Sequence, residues 1–129
     1  MKLTNETIYS YAMKIKNFCD EEADSLLPAK CSFYIYKNLN TLLEAANCID
    51  KARQNILEKY GKQEEENVYI ISDENKELAQ EELTDLGNIT QDIQIYFIQL
   101  TDLEKVNLTL KQLFNISFMI QEESNIIDE

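Results

Sequence analysis

The 129-residue chain contains no histidine and no tryptophan, one proline, two glycines and three cysteines. Without histidine it loses the commonest general base, the commonest metal ligand and every nucleophile system built on an imidazole. Two isolated glycines, Gly61 and Gly87, cannot make a phosphate-cradling loop of the P-loop or dinucleotide type. Tight turns must be few, which favours helices over a sandwich or barrel. Cys19, Cys31 and Cys48 are odd in number and widely spaced, so neither a disulfide framework nor a zinc knuckle is indicated. Reduced thiols in a cytoplasm fit best. Positive charge is also scarce: 12 Lys plus Arg stand against 24 Asp plus Glu, a net −12. Direct binding of nucleic acid needs clustered cations, and an anionic membrane surface is disfavoured for the same reason. No apolar run approaches the roughly 18 residues of a membrane span, and Met1–Glu6 has no apolar core of a signal peptide.

What is present is a long uninterrupted stretch, Pro28 to Gly61. A proline opens it, a glycine closes it, and neither type occurs between them. That punctuation predicts one helix over about 29–60, roughly 48 Å long at 1.5 Å per residue, which must be the spine of the fold. Ile35, Leu39, Leu42, Ala46, Ile49, Arg53, Ile56 and Tyr60 alternate at steps of four and three, an apolar seam with one cation in it.

The rest arranges itself around the spine. A first helix is expected over 4–19, with Ile8, Tyr11, Ala12, Ile15 and Phe18 on one face. Gly61 to Asn67 reads as a charged loop. Val68–Ile71 is a short strand by its β-branched and aromatic content, and Ser72 or Asp73 opens a helix over about 73–86. Alternation predicts a second strand over about 92–100, and Asn107–Thr109 caps a closing helix. The expected fold class is α+β and mostly helical, one domain over 1–129. Its two strands form one small β element joined by the 73–86 helix, with the direction of pairing open and an acidic tail at 121–129 that frays. An open strand edge, or the long helix itself, offers a route to a homodimer.

Few residues qualify as a site. No catalytic residue, metal ligand or cofactor is expected. Asp73–Glu77 is the best local match to a calcium loop, but Leu78 stands where the loop needs glycine, and it reads better as a helix start. Glu64, Glu65 and Glu66 form an acidic run, suited either to plain solvation or to a basic protein partner. Arg53, the only arginine, either packs its stem along the seam with its head on Asp50, or lines a pocket or dimer seam. Tyr34 and Tyr36, beside Phe33 and between Lys30 and Lys37, are the one place where aromatics and cations interleave; they are either the upper end of the core or a stacking platform for a nucleotide.

A wider pattern runs over roughly residues 56–121. Tyr60-Gly61 closes a helix, an acidic loop follows, then Tyr69-Ile-Ile, a helix, Ile93-Gln-Ile…Ile98-Gln-Leu-Thr-Asp-Leu-Glu104, Leu108-Thr-Leu-Lys-Gln-Leu113 and Phe118-Met-Ile120. This resembles a family of small proteins from phages and prophages of Gram-positive bacteria, known only as a domain of unknown function. The resemblance implies phage origin and a place in the host cytoplasm, and no activity. The function expected is a non-enzymatic, anti-defence inhibitor of a host protein. It would work in the manner of an anti-CRISPR protein, its carboxylates standing in for nucleic-acid phosphates on a basic surface. The alternatives are an oligomeric subunit or assembly factor in phage morphogenesis, and a sponge that sequesters a small nucleotide signal.

Overall fold

The computed structural model describes residues 1–66 and 68–122. A short strand, β1 (Lys2–Thr4), leads into helix α1 (Asn5–Asp20). Thr4 caps that helix by accepting a hydrogen bond from the Thr7 amide at 3.1 Å. After a 3₁₀ turn at Ala23–Leu26 comes the spine, α2 (Ala29–Tyr60), with Pro28 at its N-cap and the bounds that the punctuation predicts. Strands β2 (Gly61–Glu65) and β3 (Val68–Ile71), helix α3 (Asp73–Asn88) and strand β4 (Thr90–Asp92) follow. The chain ends with β5 (Ile98–Gln99), a 3₁₀ turn at Leu100–Leu103, helix α4 (Leu110–Ile116), a 3₁₀ turn at Ser117–Met119 and β6 (Ile120–Gln121). The mostly helical α+β fold class is as expected.

The core forms where α1 and α2 lie face to face. Ile8, Ala12, Ile15 and Phe18 from α1 meet Cys31, Ile35, Leu42 and Ile49 from α2, all buried. Ile98, Leu103, Ile116 and Met119 close the same cluster from the C-terminal segment. Tyr11 stacks on Phe118 with ring centroids 3.9 Å apart, joining α1 to the end of the chain. Gly61 ends the spine for a steric reason. Its φ of −118° is ordinary extended backbone, but a Cβ there would sit 2.8 Å from the Leu57 carbonyl oxygen.

The strands depart from expectation. The segments 68–71 and 92–100 do not pair with each other. The charged stretch after Gly61 is strand β2, folded back antiparallel on β3 with Gly61 opposite Ile71 and Gln63 opposite Tyr69. Strand β4 instead pairs antiparallel with β1, Lys2 opposite Asp92, and β5 pairs parallel with β6, Ile98 opposite Ile120. Between β4 and β5, residues 93–97 form no strand although Ile93 and Ile95 are buried. Their backbone finds partners elsewhere: the Ile93 N–H donates to the Met1 carbonyl at 2.8 Å, the Met1 ammonium donates to the Ile93 carbonyl at 2.9 Å, and Tyr96 is held by Asn38. Its side-chain amide accepts from the Tyr96 N–H at 2.8 Å and donates to the Tyr96 carbonyl at 2.9 Å, filling the place of a neighbouring strand. The closing helix is short: α4 stops at Ile116, and the apolar residues Phe118, Met119 and Ile120 beyond it lie in the 3₁₀ turn and β6. Of the tail expected to fray at 121–129, Gln121 is paired in β6, and 123–129 lies outside the described residues, as does Asn67.

Candidate functional site

Glu64, Glu65 and Glu66 sit at the outer end of the β2–β3 hairpin, all exposed. Glu65 stands opposite Val68 in the hairpin, and Glu66 is in the turn that follows.

The five other candidate residues fall into two separate places. Arg53 lies about 24 Å along the spine from Lys37 and about 35 Å from Lys30, so no pocket gathers the three cations. At the N-terminal end of the spine, Tyr34 stacks on Tyr96 with centroids 5.5 Å apart, and the Lys30 ammonium lies 5.9 Å from the Tyr34 centroid. That stack occupies a Tyr34 face a nucleotide would need. Tyr36 is exposed and donates a hydrogen bond to the Asp24 carboxylate, which pushes its phenol above the ordinary value. Lys37 is exposed. The aromatics are thus not uniformly core: Tyr34 packs inward, while Phe33 and Tyr36 face solvent.

Arg53 is not buried in a seam. Its guanidinium stands over the ring of Tyr9 at 4.8 Å and 3.9 Å from Asp50, the partner one turn back. The half-exposed side chain forms one wall of a cleft of about 430 Å³ between α1, α2 and α3. Leu57, Leu83 and Leu86 give this cleft an apolar wall, and Glu6, Thr84 and Gly87 lie on its α1 and α3 sides. Tyr9 also lines it, and the Tyr9 hydroxyl is buried with no hydrogen-bond partner among the described residues.

Three features were not singled out in the sequence. The first is the outer face of α3. The helix buries Ala79 alone, and on the face opposite Ala79 the carboxylates of Glu74, Glu77, Glu81 and Asp85 run in one exposed row about 16 Å long. None of the four is in an ion pair among the described residues; Lys59 goes to Glu82 at 3.4 Å and Lys76 to Asp73 at 3.4 Å. Steps of three and four between these acids were visible in the sequence as a polar helical face. The second is the open space beside Gly87, the penultimate residue of α3, which ends at Asn88. The third is Asn38, at a helical step from the apolar seam but polar by type. Asp73–Glu77 forms the first turns of α3, as its helix-start reading predicts.

Cys19, Cys31 and Cys48 are free thiols. Burial, followed by Asp24 and Asp20, pushes the Cys19 thiol up to about 11. Burial likewise raises Cys31, with a smaller push from Asp102. Both are therefore poor nucleophiles at neutral pH. No helix among the described residues is long and apolar enough to cross a membrane. The chain matches no protein-family model, no curated protein and no solved structure.

Proposed function

We propose that this is a non-enzymatic, phage-type binding protein that inhibits a host defence protein by laying the carboxylate row of α3 on a basic, nucleic-acid-binding surface. Glu64–Glu66 on the hairpin extend the negative character of the same half of the chain. The observation that carries this reading is the charge pattern of α3, which works against the helix that bears it. Glu77–Glu81 and Glu81–Asp85 are like-charge pairs at i,i+4, each destabilising by about 0.2–0.5 kcal/mol. The last turn holds no cation to balance the negative end of the helix. Of the row, Glu74 alone lies in the first turn, where an acid is favourably placed. A row of acids that costs stability and faces solvent is supported as a recognition element for a cationic partner, with affinity that falls as salt rises.

The test is phage plating on a Gram-positive host that expresses the chain and carries one defence system. Protection is expected with the native protein and should be lost when Glu77 and Glu81 are both changed to Lys. Protection unaffected by that double reversal would sink the mimicry reading. A second reading is favoured by one observation: Leu110 and Phe114 on α4 are 86 % and 60 % exposed, an apolar surface suited to an assembly subunit. That reading gains if removing the protein lowers particle yield in a host without defences.

A further inference from the structure

The cleft at Arg53 is independent of the acidic row and has its own chemistry. We infer that it binds a small amphipathic carboxylate, a compound with an apolar body and a single anionic end.

Arg53 supplies the anion site. Its guanidinium is held from one side by the face of Tyr9 and has only a long 3.9 Å contact to Asp50, so its N–H donors make no hydrogen bond among the described residues. A planar guanidinium fixed in this way is ready for a bidentate carboxylate. The volume of about 430 Å³ lies in the usual range of small-molecule sites, roughly 300–1,000 Å³. Leu57, Leu83 and Leu86 provide the surface for an apolar body.

Gly87 shapes the other side of the cleft. It is the penultimate residue of α3, in the last turn of the helix, where glycine is common. Gly87 has no positive φ, and a Cβ added there would meet nothing within 4 Å. Neither conformation nor packing within the described structure requires it. What its bare backbone does is leave the α3 side of the cleft open. That opening gives an apolar body room to lie against the α3 backbone.

Charge restricts the ligand further. Glu6 lines the same cleft, the protein carries −12, and Lys30 and Lys37 are too far away to help. A nucleotide with two or more charges is repelled more strongly here than a single carboxylate, which one guanidinium can take up in place of its long contact to Asp50.

The experiment uses the whole chain, isotopically labelled, titrated with 4-phenylbutyrate and separately with the uncharged 4-phenylbutan-1-ol, with NMR shifts as the readout. Saturable shifts around Tyr9, Arg53 and Gly87 are expected with the acid. Affinity should be weaker by about tenfold or more for the alcohol and for Arg53→Gln, the loss expected of one charge-assisted contact. Gly87→Leu should abolish binding while leaving the helical circular dichroism intact, since the new side chain enters open space. Gly87→Ala, a still milder filling, should weaken binding and raise the melting temperature. The inference is overturned by an absence of saturable shifts, by equal binding of acid and alcohol, by binding that survives Gly87→Leu, or by shifts centred on Leu110 and Phe114.

Discussion

Helices α1 and α3 are each 16 residues long and both lie against the spine, yet they are held in opposite ways. Helix α1 buries Asn5, Ile8, Ala12, Ile15 and Phe18. Helix α3 buries Ala79 alone and keeps Leu83 and Leu86 half-covered. Polar ties do part of the work at α3: Lys59 pairs with Glu82 at 3.4 Å, and the Asn75 amide donates to the Tyr60 carbonyl at 3.3 Å. The first helix is scaffold. The second is a platform fixed by one small residue and a few edge contacts, which leaves most of its circumference free for display. Both features assigned a role here, the carboxylate row and the wall of the Arg53 cleft, belong to the second kind.

The largest expected effect is the cleanest way to break that contrast. Phe18→Ala should cost about 3–5 kcal/mol in urea unfolding, the usual loss for a buried aromatic, whereas Leu78→Ala on α3 should stay within about 0.5 kcal/mol. Equal losses would mean that α3 is as much core as α1. Next comes the single anchor. Ala79 is 1 % exposed, so Ala79→Leu should overpack the α3–spine contact and cost about 1–3 kcal/mol, read as a lower melting temperature. A neutral result would show that α3 rides more loosely than its one anchor implies.

Smaller and opposite in sign, Glu81→Lys should stabilise the protein by about 0.5 kcal/mol at low salt, the gain vanishing in high salt. The same change should weaken binding to a basic partner, a combination that a structural role for Glu81 would not give.

An effect absent at neutral pH concerns the end of α1. Because the folded state raises the Cys19 thiol from 9.0 to about 11, chiefly by burial, it holds that proton more tightly than the unfolded chain does. The resulting contribution to stability is whole below pH 9.0 and is lost as pH climbs from there to about 11. Iodoacetamide at pH 8, followed by mass spectrometry, should modify exposed Cys48 first and Cys19 and Cys31 far more slowly.

How much of this was legible depended on whether the signal was local. Pro28 and Gly61 mark the spine to the residue because helix punctuation is written at the helix ends. The apolar step of α1 is equally local. The strands were not, because their partners are distant: nothing near Asp92 says that it faces Lys2. The alternation of Ile93, Ile95 and Phe97 reflects real burial of the two isoleucines, but burial alone does not make a strand when Met1 holds the backbone at Ile93 and Asn38 holds it at Tyr96. The Gly61–Glu65 strand was hidden by its charge. The site divided in the same way. Glu64–Glu66 were visible as a run and are exposed as a run, whereas the Arg53 cleft exists only because α1 and α3 meet over the spine. Gly87 could be seen in the sequence, but its meaning required knowing that nothing stands opposite it.

The clasp between Asn38 and Tyr96 spans 58 residues of sequence and lies half inside the core. Its two hydrogen bonds can form only when the spine and the C-terminal half of the chain have come together, so no single helix can make them alone. The Tyr96 amide should therefore be slow to exchange with solvent deuterium. Its exchange would report the opening of the assembled protein rather than the fraying of any one element.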